Sequence, residues 1–111
     1  MKESEFNQLA EQAMIDIEEA IESSGADIDY DTAGDVLTLE FANRSQIIVN
    51  KQAPLCQLWV AAKSGGYHFD YDADHGVWCL NGNPAHHLFE RLGVYCSEQA
   101  GEPVNLEPPD R

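Results

Sequence analysis

An α+β two-layer sandwich is the fold class this sequence predicts, with two helices on one face of an antiparallel sheet of about six strands. Three observations predict it. Residues 4–24 repeat apolar side chains at helical spacing, the apolar period then falls to two over a run of short segments parted by tight turns, and a second helical pattern follows. Strands grouped between helices, and not alternating with them, favour this arrangement over a parallel sheet. At 111 residues and 43% hydrophobic composition the chain can fill one core, so 1–111 is expected to be a single domain without internal repeats.

The first helix carries Phe6, Leu9, Ala10, Ala13, Met14, Ile17, Ala20 and Ile21 on one face. Ser4 is its expected N-cap, and Ser23-Ser24-Gly25 its stop signal. Ile28, Tyr30 and Thr32 then alternate with Asp27, Asp29 and Asp31, a strand with one charged side. Ala33-Gly34-Asp35 turns the chain into Val36 to Ala42, and Asn43-Arg44-Ser45 turns it into Gln46 to Asn50. Pro54 precedes a fourth strand, Leu55 to Ala62, with Leu58 and Val60 on one side and Gln57, Trp59 and Ala61 on the other. Tyr67 to Asp72 and Val77 to Leu80 complete the sheet. Asn83-Pro84 reads as an N-cap with Pro at the first helical position, opening a helix to about Gln99 through Ala85, Leu88, Phe89, Leu92 and Cys96. The stretch 101–111 holds three prolines and should be extended, with Val104 and Leu106 able to anchor it.

Twenty Asp and Glu against six Lys and Arg give a net charge of −14. That balance argues against nucleic acid and anionic membranes as partners, since both need clustered cations. The longest charge-free stretch, His75 to Phe89, falls short of the roughly 18 residues a membrane span requires. The first residues resemble neither a signal peptide nor a transit peptide, so the expected location is the cytoplasm. Cys56, Cys79 and Cys96 lack a C-x-x-C spacing, which leaves three reduced thiols, at least partly buried, as the expected state.

The acids cluster. Twelve of the twenty lie in residues 1–40, where Lys2 is the only base. Glu18 and Glu22 form a like-charge pair one turn apart near the helix C-terminus, where the macrodipole already disfavours negative charge. Hard cations bound through carboxylate oxygens, or a basic partner surface, would relieve that repulsion. A plain solubilising surface is the competing account. Exposed carboxylates without fixed geometry would bind metal weakly, with other divalent or trivalent cations able to substitute.

Other sites fare less well. Asp70-x-Asp72-x-Asp74 opens like a calcium loop, but His75 stands where that loop needs Gly and Asn81 where it needs Glu. His68, Asp70 and Asp72 share one strand side and form a possible secondary metal site. His86 and His87 would point about 100° apart on a helix and do not form a ligand pair. No nucleophile with a motif-level base, phosphate loop or H-E-x-x-H is present, so no enzyme activity is expected.

The segment from Asn50 to Asp70 carries N-x-Q-x-P-x-x-Q-x-W followed by G-G-Y-H-F. This strongly resembles the frataxin family, bacterial members above all, and the likeness runs from the acidic first helix through the second. The resemblance implies a non-enzymatic, iron-binding role in iron–sulfur cluster assembly, with Fe2+ or Fe3+ held on an acidic ridge. Matched residue by residue, that ridge is Glu11, Glu18, Glu19, Glu22, Asp27, Asp29 and Asp31. It further implies docking on a cysteine desulfurase and an iron–sulfur scaffold protein, with Asn50, Gln57 and Trp59 as partner contacts. A bacterial cytoplasm and a monomer without iron fit the same resemblance. Ser23-Ser24-Gly25 replaces a more acidic stretch of some relatives, and Asn7 stands where some have His. A metal-independent acidic adaptor is the alternative function, and a ferroxidase or iron store the least favoured, since nothing suggests a buried di-iron centre.

Overall fold

The computed structural model describes residues 1–109. Its element order is α1 (Glu3–Ser24), β1 (Ile28–Ala33), β2 (Val36–Phe41), β3 (Gln46–Gln52), a 3-10 turn (Ala53–Leu55), β4 (Gln57–Ala62), β5 (Gly65–Asp72), β6 (Val77–Leu80) and α2 (Leu88–Ala100). The six strands form one antiparallel sheet in sequence order, so every strand pairs with its neighbour in the chain. The expected α+β class and helix–strands–helix order hold.

Alternation decides which sheet face is covered. Leu37, Leu39, Ile47, Val49, Leu58, Val60, Phe69 and Trp78 are buried, and the strand register aligns them on one side. Against that side α1 sets Phe6, Ala10, Ala13, Ile17, Ala20 and Ile21, and α2 sets Leu88, Leu92, Tyr95 and Cys96. Aromatic contacts join the layers: Phe6 meets Trp78 edge-on at 5.9 Å, and Tyr67 stacks on Tyr95 at 4.3 Å. Buried Gln99 ties α2 to the loops. Its amide donates to Ser45 Oγ and the Gln46 carbonyl, and its Oε1 accepts from Lys63 N–H at 2.8 Å.

The helix starts differ from those the sequence predicts. The N-cap of α1 is Lys2, without a side-chain bond, and Ser4 lies inside the helix. Gly25 ends α1 in the left-handed conformation, φ 72°, as its stop signal implies. Helix α2 begins at Leu88, four residues after Pro84. The Asn83 carboxamide takes up the Ala85 N–H at 3.0 Å in a local turn, and the Leu80 N–H donates to the His86 carbonyl. That pairing holds 83–87 against the sheet instead of letting it coil. His86 and His87 therefore precede the helix, and Ala85 is exposed. The fourth strand starts at Gln57, which leaves Leu55 exposed in the 3-10 turn.

Beyond α2 the chain to residue 109 has no helix or strand; Asp110 and Arg111 lie outside the described residues. Val104 and Leu106 are buried, as expected of anchors. The Ser97 hydroxyl accepts the Val104 N–H at 2.9 Å and donates to the Gly93 carbonyl at 2.7 Å. The tail crosses α2 at Gly93, where a Cβ would meet the Val104 carbonyl oxygen at an ordinary contact distance of 3.5 Å. The three cysteines are free, with Cys79 and Cys96 buried.

Candidate functional site

The end of α1 lies beside β1, the outermost strand. Thr32 Oγ1 donates to the Glu18 carboxylate and Tyr30 Oη donates to Glu22 at 2.5 Å. Two helix carboxylates are thereby docked on two strand hydroxyls. The Glu22 partnership, the largest cause, pushes the Tyr30 phenol up to about 12. Glu19, Asp27, Asp29 and Asp31 are exposed.

The acids do not form one flat row. Tyr30 and Thr32 point to the helix side, so Asp29 and Asp31, of opposite parity, point to the open sheet face. There Asp29 lies opposite Glu40 and Asp31 opposite Thr38. A concavity of about 370 Å³ is lined by Asp29, Tyr30, Asp31, Thr38, Glu40 and Gln46. Glu40 belongs to this acidic edge and was absent from the expected ridge. Pairing outward from the Gly34-Asp35 turn would have found it opposite Asp29.

Glu11 stands apart. Lys51 reaches from β3, its side chain largely buried, to Glu11 at 3.4 Å and Asp35 at 3.3 Å. Lys2 is the only base within residues 1–40, but strand pairing brings in Lys51, a lysine remote in sequence. Among the described residues no such ion pair reaches Glu18, Glu19, Glu22, Asp27, Asp29 or Asp31. Among them, too, no three His, Cys, Asp or Glu converge as a ready cage for a metal ion. What the edge offers is dense negative charge with water-accessible oxygens, suited to hard cations in a loose mode or to a basic protein surface.

The open sheet face gathers the expected partner residues. Asn50 and Trp59 are opposite each other across β3 and β4. Trp59 stacks on His68 at 4.2 Å with the rings 11° apart, and its indole N–H donates to Gln57 Oε1 at 2.8 Å. Gln57 in turn donates to Asp70 Oδ1 at 3.1 Å. Trp59 is half-buried on this face and not in the core.

That same network disperses the possible secondary metal site. His68, Asp70 and Asp72 do share a side of β5, but each is engaged elsewhere: His68 on Trp59, Asp70 with Gln57, and Asp72 with His75 Nδ1 at 2.7 Å. The three are not assembled around a common point.

The Asp72–His75 pair gives the β5–β6 turn a pH dependence. Their hydrogen bond holds the His75 imidazolium above its ordinary 6.5 and, as the largest cause, holds the Asp72 carboxyl below 3.8. The His75 contribution is full below pH 6.5 and fades as pH rises through the raised value; that of Asp72 is full above 3.8 and fades as pH falls. Thermal melts of His75→Gln should therefore fall slightly below those of the parent at pH 5 and coincide with them at pH 9. A difference that does not vary with pH would contradict this assignment.

Comparisons with known proteins now bear on these features. Residues 1–102 match the family model described as a Frataxin-like domain. A protein of Photobacterium profundum named iron-sulfur cluster assembly protein CyaY is 49% identical over 105 residues, covering 95% of this chain and 97% of its own length. A relative of the same name from Vibrio vulnificus is 46% identical, covering 95% and 98%. The solved structure of a frataxin from Psychromonas ingrahamii superimposes with a TM-score of 0.83 at 43% identity, covering 95% of this chain and 97% of that one.

Proposed function

This chain belongs to the frataxin family, and we propose that it acts in iron–sulfur cluster assembly as an iron-binding regulator or iron supplier that docks on the cysteine desulfurase complex. The observation that carries the reading is the acidic edge formed by α1 and β1, where six expected ligand residues lack a cationic partner among the described residues. Iron is then cargo or signal, held weakly by Glu18, Glu19, Glu22, Asp27, Asp29 and Asp31, and replaceable by other hard cations. Glu11, already paired with Lys51, is a peripheral member. Asn50, Gln57 and Trp59 form the neighbouring contact for the desulfurase or the scaffold protein, with Trp59 as anchor. The protein catalyses no reaction of its own and works in the bacterial cytoplasm. Among the described residues no helix is long and apolar enough to cross a membrane.

The absence of a three-ligand cage among the described residues favours one second reading, an acidic adaptor that meets its partner without metal. An anaerobic amide NMR titration, first with ferrous iron and then with the desulfurase, separates the two. Broadening by iron within residues 11–31, overlapping the partner footprint, supports the iron-dependent role. Partner shifts there with no iron effect would leave only the adaptor. In the same assay Trp59→Ala should keep the iron response and the fold while weakening desulfurase binding about tenfold or more. Unchanged affinity would remove Trp59 from the interface.

A further inference from the structure

The two edges of the sheet end differently. At β6 the chain folds back on itself: Leu80 N–H donates to the His86 carbonyl at 2.9 Å, and Cys79 and His87 form an antiparallel bridge. At β1 no strand follows, and Asp31 to Asp35 are exposed.

The direction of the β1 backbone groups follows from its turn. Gly34 and Asp35 form a two-residue loop, with Gly34 at φ 59°, and Ala33 pairs with Val36. The pair that closes such a loop is a hydrogen-bonded one, and such pairs alternate along the ladder. Asp31–Thr38 and Asp29–Glu40 are then hydrogen-bonded pairs too. Asp29 and Asp31 direct their backbone groups toward β2, while Tyr30 and Thr32 direct theirs outward. Ile28 agrees in parity, since its N–H turns to the Ala26 carbonyl at 2.9 Å.

An unpaired strand edge is a template for another strand, and charge is a common guard against that. Here charge stands on both sides of the edge: Asp29 and Asp31 on the open face, Glu18 and Glu22 on the helix face. Such a guard repels an acidic or neutral strand and draws in one of opposite sign.

We infer that the β1 edge is a strand-addition site for an extended basic segment of a partner protein. The segment pairs with the backbone of Tyr30 and Thr32 and, because strand side chains alternate, carries Lys or Arg on both faces. One face meets Asp29 and Asp31, the other Glu18 and Glu22. The inference rests on the reading that this ridge contacts a partner, and adds that main-chain pairing, not charge alone, makes the contact.

The test uses the full chain and an octapeptide of Arg and Val with Arg on both faces. Two further versions are N-methylated, each at one alternate set of amides, so that charge is kept and one edge of the peptide loses its donors. The expected result is that one methylated version binds about tenfold more weakly than the parent peptide while the other does not. The parent should also slow hydrogen exchange at the Tyr30 and Thr32 amides, and an Asp29→Asn/Asp31→Asn variant should bind it more weakly. Equal affinity of all three peptides, with no protection at Tyr30 and Thr32, overturns strand addition and leaves a ridge that acts by charge. No binding by any of them overturns strand addition and the basic-partner reading of the ridge together, whereas the iron titration is unaffected.

Discussion

Replacing Leu106 by Ala is expected to cost about 2–4 kcal/mol, because the side chain is buried and its removal leaves a cavity. The site is poorly able to collapse. The preceding stretch of tail is fixed by the Ser97–Val104 hydrogen bond at 2.9 Å and lies close against Gly93. For a domain of about this size the loss corresponds to a fall in Tm of more than about 8 °C. Urea or thermal unfolding of the variant measures it directly. Leu55→Ala, at an exposed position, is the control and should change stability by less than about 0.5 kcal/mol. An equal, small effect of both would mean that the tail is not part of the cooperative core.

A second large effect is expected at the ridge. On the proposed iron-binding function, changing Glu18, Glu19 and Glu22 together to Gln should leave the protein without a ferrous-iron response in the amide NMR titration and without any iron-dependent effect on the desulfurase. The same change should stabilise the protein. Gln keeps an oxygen acceptor for the hydroxyls of Thr32 and Tyr30, so the docking of helix on strand survives while three like charges disappear. Removing like-charge neighbours and acids from the C-terminal turn is worth on the order of 1 kcal/mol at low ionic strength. That is a Tm rise of about 5 °C. The gap between variant and parent should close as salt or magnesium is added, since both screen what the substitution removes. With Glu22 neutral, the Tyr30 phenol should also return from about 12 toward its ordinary 10.0 in a spectrophotometric titration. A variant that melts no higher than its parent at low salt would show that the folded ridge is not self-repelling.

Periodicity made most of the fold legible. Val77–Leu80 and the end of α1 are legible to the residue because strong turn and stop signals bound them. The start of α2 is not legible in the sequence, since Asn83-Pro84 is good capping chemistry, whereas the local turn at Asn83 and the pairing of His86 and His87 with Leu80 and Cys79 hold 83–87 out of the helix. At the ridge, residue types and order locate the acids, and the alternation along β1 already sets Asp29 and Asp31 on the side opposite Tyr30 and Thr32. The contributions of Glu40 and Lys51 are not legible in this way, because they depend on register across three strands. Likewise His68, Asp70 and Asp72 look like a set along the chain, yet cross-strand neighbours claim each one separately.

The sheet is a simple meander, but the layer that covers it comes from both sides of the meander in sequence. This matters while the chain is being made. Each hairpin can close as soon as its second strand emerges, because its partner has just been synthesised. The apolar face cannot. Leu58, Phe69 and Trp78 become available before α2 and the residues through Leu106 exist to shield them. A nascent chain that ends before residue 88 is therefore a half-dressed sheet, and the self-repulsion of its many acids opposes contact between such chains.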